Sequence, residues 1–510
     1  PADAPKCKYA CDHSLPVPAS MAPTMALVTS ASVMMLSTFM FGWTNGNMNT
    51  PAFVMRKALG IESDQSSPEL EAMWGWCVSV YCLGAMVGCR QSPKQADRLG
   101  RKTFLLLSTG VYVFGGLVHA ASVVGGSFGY ALTILGRYTV GWASGSTTVV
   151  VPAYLGEIAP ENVRGAMGVA FQLVVTVSML LAQTAGMPSA FGTEHLWPLI
   201  PLVGAVPGLL QVLLSPLLIE SPHWLEYAGR PQDAEAARAR LSGAKAQPYT
   251  ALSDVVAAPA AAADAQEAGI TRPPPPEPRT QPSFMSLWRD SALRPVLVLS
   301  IITLVTQQAS GINNAFNFST TYLHNNGVPL HQTEKVTLAM NVVNVVATLL
   351  AAAVVDRAGR RPLLIGSTSA MAVCTVVITA GMGNLDQDWG VSVASTGIVL
   401  FVASFGLGAG PIPWILPSEL FAQEYRATAQ GVAALANWFA NFVVATTFLN
   451  LARMLGYLSF LPFGAILVAY SVYAALVLPE TKGHNQPVVA ANAGPASPER
   501  NVTFADDVVG

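Results

Sequence analysis

The stretch Asp356-Arg357-Ala358-Gly359-Arg360-Arg361 separates two long apolar runs and decides the fold of the chain. It has a counterpart about 260 residues earlier, Asp97-Arg98-Leu99-Gly100-Arg101-Lys102, with acid, base, glycine and two bases in the same order. Three further pairs follow at nearly the same offset: Glu157 with Glu419, Arg164 with Arg426, and Glu220 with Glu480. Charged signatures that recur in one order and at one spacing indicate a duplicated unit, so the chain is predicted to consist of two structural halves.

The composition places both halves in a membrane. Hydrophobic residues make up 52% of the 510 residues and charged residues only 11%, whereas soluble domains carry about 25% charged residues. The mean hydropathy is +0.44. The charges lie between the apolar runs and seldom inside them, and those runs lack the alternation of a strand. We therefore predict transmembrane helices of about 20 residues, not an outer-membrane barrel.

The apolar runs define twelve spans. They lie near 24–45, 73–89, 103–124, 128–153, 165–187 and 196–219, and then near 295–322, 333–355, 362–383, 392–417, 427–450 and 456–478. An even number places both termini on one side, which the positive-inside rule identifies as the cytoplasm because most loop Lys and Arg residues fall there. The predicted organisation is a cytoplasmic tail (1–22), a six-helix bundle (23–219), a cytoplasmic linker (220–294), a second six-helix bundle (295–483) and a disordered cytoplasmic tail (484–510).

The polar segments contain few signs of a folded site. Asp233 to Leu241 is Ala-rich and charged and predicts a short amphipathic helix, whereas the prolines at 273–276 favour an extended spacer, with an SH3-type ligand as the alternative. Cys7 and Cys11 leave a zinc half-site open, but six cysteines in 510 residues favour reduced thiols and a mobile tail. No metal site, no disulfide and no cleaved signal peptide are expected.

Amide side chains cluster inside the spans, where polar groups are costly in lipid and therefore face the bundle interior. The run Gln307-Gln308-Ala309-Ser310-Gly311-Ile312-Asn313-Asn314 holds four amides around a glycine that can break the helix. Others are Gln172, Asn341, Asn344, Asn437 and Asn441, and the spans also contain the aromatic residues Trp414 and Trp438. Amides both donate and accept hydrogen bonds and Trp rings stack on sugar C–H faces, so the pattern predicts a site for a neutral polyhydroxyl ligand. The alternative is hydrogen bonding between helices without a ligand.

The stretch Gly408-Ala409-Gly410-Pro411-Ile412-Pro413-Trp414 predicts a second broken helix. Its two prolines remove backbone donors, and broken helices near the membrane midplane are where transporters bind substrate. A proline kink with a packing role alone is the alternative.

Several stretches resemble the sugar porters of the major facilitator superfamily, and within them the facilitative hexose transporters of the glucose-transporter type. They are Val151 to Pro160, Arg164-Gly165-Ala166, Gln172-Leu173, Gln307 to Asn313, Gly410 to Trp414, Asn437-Trp438 and Pro479 to Gly483. The resemblance covers residues 40–484. It implies an all-α membrane protein with the major facilitator fold, in which two six-helix bundles surround a central sugar site and alternate between outward-open and inward-open states.

The resemblance also implies roles for individual residues. The implied sugar contacts are Gln172, Gln307, Gln308, Asn313, Asn344, Trp414 and Asn437. The implied salt bridges at the cytoplasmic helix ends, which close the inner side in the outward-facing state, are made by Arg98, Arg101, Glu157, Arg164, Arg357, Arg360, Glu419 and Arg426.

Departures from the family pattern bear on mechanism. Thr44 stands where proton-coupled sugar porters usually have an acid, so Arg137 lacks its usual partner and facilitated diffusion is favoured over symport. Gly406 replaces a sugar-side glutamate, and Asn317-Phe318 replaces a gating tyrosine pair. Arg90 to Gln95 places charges where the second span should continue as an apolar helix.

Facilitative transport of a hexose, with glucose as the first candidate, is the predicted function. A proton-coupled hexose or polyol symporter and a non-transporting sugar sensor are the alternatives. An enzyme is not predicted, because no nucleophile–base group, phosphate loop or metal-ligand spacing appears in any span. The expected partners are a small sugar and membrane lipid, without nucleic acid or cofactor, and the expected location is the plasma membrane.

Overall fold

A computed structural model describes residues 24–61, 67–243 and 282–482, and this part of the chain is almost entirely helical. The predictions for the two tails, for Cys7 and Cys11, and for the prolines at 273–276 fall outside the described residues. The helix predicted from Asp233 to Leu241 is present.

The helices of the first half are α1 (Met25–Gly46), α2 (Ala52–Ala58), α3 (Pro68–Leu99), α4 (Arg101–Ala120), α5 (Gly126–Ile158), α6 (Glu161–Ala185), α7 (Leu199–Val203), α8 (Val206–Leu213), α9 (Pro222–Tyr227) and α10 (Pro231–Ser242). The helices of the second half are α11 (Phe284–Arg289), α12 (Leu293–Ala309), α13 (Ile312–Asn325), α14 (Leu330–Ala358), α15 (Arg360–Met382), α16 (Gly390–Ser404), α17 (Ile412–Leu420), α18 (Gln423–Leu455) and α19 (Leu461–Val477). A π-helical segment, Phe405–Ala409, follows α16.

Nine helical segments of the described chain are long and apolar enough to cross a membrane. The three remaining predicted spans coincide with α5 and with two shorter apolar segments, Leu199–Leu213 and Leu461–Val477. Helix α5 has 33 residues, but its many Gly, Ser and Thr residues lower its hydropathy. The count of twelve crossings therefore stays a prediction.

Helices α3 and α5 cross backbone to backbone. Each carries glycines four residues apart that face the other helix: Gly84, Gly88, Gly141 and Gly145. A Cβ atom on Gly88 would lie only 1.9 Å from the carbonyl oxygen of Trp142. Small residues at this spacing let membrane helices approach closely. The close approach also brings Arg137 of α5 within 4.5 Å of the ring centre of Tyr81 on α3.

The two halves meet along two helix pairs, α3 with α18 and α6 with α14. Trp438 of α18 packs edge-on against Phe41 and Tyr81, with ring centres 6.2 and 5.9 Å apart. A residue of the second half is therefore buried in a hydrophobic cluster formed mainly by the first.

Both predicted helix breaks are present. Gly311, with a φ of 82°, separates α12 from α13, and the π-helical segment ends just before α17 begins at Ile412. The predicted second span, by contrast, is only part of a longer helix. Helix α3 passes through Pro93 and ends at Leu99, with Arg90 and Lys94 exposed on its surface. The charges therefore do not end the helix.

Candidate functional site

Four amide side chains from three helices form one hydrogen-bond network in the centre of the second half. Asn313 donates from Nδ2 to Gln308 Oε1 (2.6 Å), and Gln308 donates from Nε2 to Asn437 Oδ1 (3.0 Å). Asn437 in turn donates from Nδ2 to Gln307 Oε1 (3.0 Å). These four of the seven predicted sugar contacts lie together, around the break at Gly311.

The network also joins the two helix breaks. Gln307 donates from Nε2 to the carbonyl oxygens of Ala409 (2.9 Å) and Gly410 (2.8 Å). In a continuous helix the Ala409 carbonyl would accept from the residue four positions on, but that residue is Pro413, which has no N–H. A side chain from the first break thus satisfies a carbonyl group left unpaired by the second.

The other three predicted contacts make no recorded hydrogen bond to this network. Asn344 is buried on α14, and its Oδ1 has no hydrogen-bond partner among the described residues. Trp414 is half-buried and packs against the hydrophobic cluster that contains Trp438. Gln172 is half-buried on α6, in the first half.

Gly406 has a structural reason for being glycine. A Cβ atom there would lie 2.7 Å from Cβ of Ala347 and 3.3 Å from Oδ1 of Asn344. Because α14 approaches so closely, the long acidic side chain of the family pattern does not fit at this position without movement of α14. The unpartnered oxygen of Asn344 lies next to this glycine.

Two buried polar residues that the sequence pattern named were left out of the predicted contact set. Both side-chain atoms of Asn314 lack a partner within the described chain, and so does Nε1 of Trp438. A buried unpaired polar group costs about 1–3 kcal/mol. In the sequence these residues stand beside Asn313 and Asn437, respectively.

Arg137 is buried in the first half without a carboxylate partner among the described residues. Its Nη1 donates to the carbonyl oxygen of Thr44 (2.6 Å) and to Oδ1 of Asn47 (3.3 Å), and its guanidinium lies over the Tyr81 ring. Thr44 Oγ1 donates to the carbonyl oxygen of Met40 (2.9 Å). The charge is thus compensated by carbonyl and amide oxygens and a ring face, none of which gains or loses a proton near neutral pH.

At the charged end of the bundle, the corresponding signatures of the two halves form corresponding ion pairs. Arg101 Nη2 lies 3.1 Å from Glu157 Oε1, and its Nη1 lies 2.7 Å from Asp97 Oδ1. Arg360 Nη2 lies 3.0 Å from Glu419 Oε1. Each of these pairs joins residues of the same half.

Four arginines remain among the predicted gating residues: Arg98, Arg164, Arg357 and Arg426. Arg98 and Arg357 are exposed, and neither forms an ion pair with a described side chain. Arg426 donates from Nε to the carbonyl oxygen of Phe421 (2.9 Å). The side chain of Arg164 is outside the described part of the structure.

Two further carboxylates cap helices at this end. Glu220 accepts hydrogen bonds from the backbone N–H groups of Arg101 and Lys102 at the start of α4, and Glu480 accepts from those of Arg360 and Arg361 at the start of α15. Unpaired N–H groups and the helix dipole both favour a carboxylate at this position.

The two capping carboxylates differ in pKa. Burial raises the pKa of Glu220, and its backbone hydrogen bonds only partly offset that effect. Burial also acts on Glu480, but several backbone N–H groups together outweigh it, so its pKa lies below the usual value.

At the opposite end, hydrogen bonds cross between the halves. Asn49 donates from Nδ2 to Ser319 Oγ (2.9 Å), and Gln183 donates from Nε2 to the carbonyl oxygen of Phe316 (3.1 Å). Asn341 donates from Nδ2 to Gln183 Oε1 (2.9 Å). The bundle is therefore closed at this end by amides that link the halves.

The described side chains contain no group of three or more His, Cys, Asp or Glu residues that could hold a metal ion. Buried amides beside two broken helices, in a chain built of two groups of helices, are typical of membrane transporters. The chain matches the family model described as sugar (and other) transporter over residues 30–486. It belongs to that family.

Relatives and solved structures agree with this assignment. The chain is 33% identical over 481 residues to bovine solute carrier family 2, facilitated glucose transporter member 4, covering 92% of this chain and 91% of that protein. It is 32% identical over 469 residues to chicken member 1, covering 90% and 92%. The xylose transporter XylE from E. coli, in a partially occluded inward-open conformation, superposes with a TM-score of 0.71 at 22% identity, covering 91% of this chain and all of that one. The fold is thus that of the major facilitator superfamily.

Proposed function

We propose that the protein carries a hexose, with glucose as the first candidate, across a membrane by facilitated diffusion. The observation that supports uniport most directly is the environment of Arg137: a buried guanidinium whose recorded partners are carbonyl and amide oxygens and a ring. A proton-coupled carrier needs a group that gains and loses a proton during the cycle. Thr44, at the position of the usual acid, has no such group near neutral pH.

The chemistry of the proposed contact residues suits a neutral ligand. The proposed contact set is Gln172, Gln307, Gln308, Asn313, Asn344, Trp414 and Asn437. All are amides except Trp414, so the set offers donors and acceptors without a charge to desolvate. The relatives at 32–33% identity are named as facilitated glucose transporters, which supports a sugar of that class. No catalytic role is proposed for any residue.

The transport cycle follows from the two ends of the bundle. We infer twelve crossings in two six-helix bundles, with the charged end in the cytoplasm and the location in the plasma membrane. Closure through Asn49 and Gln183 at the other end then corresponds to a state that is shut towards the outside. In the opposite state, charged residues at the cytoplasmic end, among them Arg101 and Arg360, would hold the inner side shut. Such pairs can bias two states by a few kcal/mol.

The direct test is counterflow of labelled glucose into proteoliposomes, with and without an imposed proton gradient and with unlabelled fructose as competitor. Uniport predicts exchange that does not respond to the gradient. Accumulation driven by the gradient would favour a proton symporter, as XylE is named in one of the related structures. Binding without flux would favour a sensor.

A single substitution tests the proposed site. Gln308→Ala removes the amide that links Asn313 and Asn437, so we expect glucose uptake to fall at least tenfold while the amount of protein at the surface stays the same. Gln387→Ala, which removes an exposed amide, is the matched control and should leave uptake unchanged. Unaltered transport kinetics in Gln308→Ala would exclude this residue from the site.

A further inference from the structure

The outward face of α3 changes from apolar to basic along its length. Trp76, Leu83 and Val87 lie on one stripe of the helix, at spacings of seven and four residues. Arg90, Lys94 and Arg98 continue the same stripe at spacings of three, four and four. All three basic side chains are exposed, on the side of α3 opposite to its buried residues. One helix face thus runs from an apolar surface into a row of three positive charges.

The change occurs at the depth where a bilayer ends. Near the start of α3, Glu71 forms a buried ion pair with Arg56 (2.9 Å), and no charged residue follows until Arg90. Arg90 follows Glu71 by nineteen positions, about 28 Å of helix at 1.5 Å per residue, and the hydrocarbon layer is about 30 Å thick. Arg90 therefore lies near the hydrocarbon boundary, and Lys94 and Arg98 lie at the level of the lipid headgroups.

The described side chains around this stripe do not neutralise its charges. None of the three side chains forms an ion pair or a hydrogen bond with a described residue, and two polar groups of the same helix have other partners. Asp97 is bound to Arg101, and Gln91 Oε1 accepts from Nε1 of Trp142 (3.0 Å). Within the described part of the chain, the stripe therefore presents positive charge without a protein partner on an outward face of the helix.

We propose that Arg90, Lys94 and Arg98 bind the headgroup of an anionic phospholipid in the leaflet at the charged end of the bundle. The phosphate and its additional negative group match a row of cations spaced about 6 Å apart along the helix. The apolar part of the stripe supports the acyl chains of the same molecule, which a soluble phosphate lacks. Long basic side chains near helix ends also extend towards the interface. This surface does not depend on which substrate is carried.

The test compares lipid retention by the purified protein in mixed nanodiscs of phosphatidylserine and phosphatidylcholine, measured by native mass spectrometry. Arg90→Gln together with Lys94→Gln should lower the preference for phosphatidylserine by about fivefold for each charge removed. The charge-conserving pair Arg90→Lys and Lys94→Arg is the matched control and should keep the preference. The preference should also weaken as salt is raised, because exposed charges are screened.

Three results would overturn the proposal. These are an unchanged phosphatidylserine preference in the Gln pair, an equal loss in the charge-conserving pair, and displacement of the lipid by millimolar inorganic phosphate. Thermal unfolding of both pairs in pure phosphatidylcholine should match that of the unmodified protein. If the Gln pair is less stable there, Lys94→Gln alone, at an exposed position, provides the same test with an expected change of about fivefold.

Discussion

Each half has one charged corner: residues 97–102 with Glu220 in the first half, and residues 356–361 with Glu480 in the second. The two corners share a backbone geometry but differ in electrostatics. In both, a glycine with a φ of 91° precedes a helix: Gly100 before α4 and Gly359 before α15. In both, a distant glutamate caps that helix, Glu220 in the first and Glu480 in the second. The backbone of the duplicated unit has therefore been kept in both halves.

The surroundings of the two carboxylates are not equivalent. At the first corner, Trp224 donates from Nε1 to the carbonyl oxygen of Asp97 (2.8 Å), and Glu220 is partly buried and the more strongly desolvated of the two carboxylates. At the second corner, an exposed Lys482 donates from Nζ to the carbonyl oxygen of Arg357 (2.6 Å), and Glu480 is more accessible. The opposite pKa shifts of the two glutamates follow from this difference in burial. The charged motif therefore determines the position of the carboxylate, while the neighbouring packing determines its ionisation.

The largest effect is expected from substitution of the glycine that both corners have before their helix. Gly100→Ala and Gly359→Ala should each lower the free energy of unfolding by about 2–3 kcal/mol, since backbone with φ near 90° and ψ near 160° is strained for residues with a Cβ atom. The new Cβ would also lie 2.4 Å from Glu220 Oε2 in the first case and 2.6 Å from Glu480 Oε2 in the second. Thermal unfolding in detergent measures the loss.

A control separates strain from contact in these variants. Gly229 also has a positive φ, 72°, but a Cβ there would meet no atom within 4 Å. Gly229→Ala should therefore cost about 1 kcal/mol, the contribution of a positive φ without a close contact. An equal loss in Gly359→Ala and Gly229→Ala would contradict a role for the carboxylate contact.

The next effect tests how the corners differ. At pH 7, Glu480→Gln should destabilise the protein by about 1 kcal/mol, because a half-buried carboxylate loses hydrogen bonds that its charge strengthens. Glu220→Gln should cost less, because the folded protein disfavours the ionised form of Glu220. Unfolding of each variant and of the unmodified protein from pH 4 to pH 8 measures both differences.

The pH dependence has opposite signs at the two corners. The folded pKa of Glu480 is lowered, so its contribution to stability is present above the unfolded pKa and is lost as pH falls through the folded pKa. The folded pKa of Glu220 is raised, so its contribution is complete below the unfolded pKa and is lost as pH rises through the folded pKa. The cost of Glu480→Gln should thus shrink in acid, whereas the cost of Glu220→Gln should shrink towards neutral pH. Parallel pH profiles would show that the corners are electrostatically equivalent.

The sequence predicts features that depend on local chemistry or on repetition. The duplicated corners followed from the spacing of Asp97 and Asp356, and the helix breaks followed from Gly311 and from Pro411 with Pro413. Each of these signals involves residues close together in the chain or identical in the two halves. The structure confirms both breaks.

Features that depend on contacts between distant segments could not be predicted. One example is the hydrogen bond from Gln307 to the Ala409 carbonyl. Another is the close approach of Ala347, which leaves room only for glycine at position 406. Neither contact can be inferred until the relative positions of the helices are known. The same holds for Arg137, whose compensation by the Thr44 carbonyl is a backbone contact without a sequence signature. The end of α3 could not be predicted from the charges that begin at Arg90, because hydropathy shows where a span becomes polar but not where its helix ends.

The smallest expected effect concerns the hydrogen bonds that tie each corner to its neighbour. Trp224→Phe keeps an aromatic ring but removes the Nε1 donor to Asp97, and should cost about 1 kcal/mol because that bond is partly buried. Lys482→Met removes the bond from the exposed amine to Arg357 and should cost about 0.3 kcal/mol, because water replaces it. Trp288→Phe, at an exposed tryptophan, controls for the smaller ring. If Lys482→Met proves as costly as Trp224→Phe, the second corner is as well enclosed as the first, and the difference in burial between them does not hold in solution.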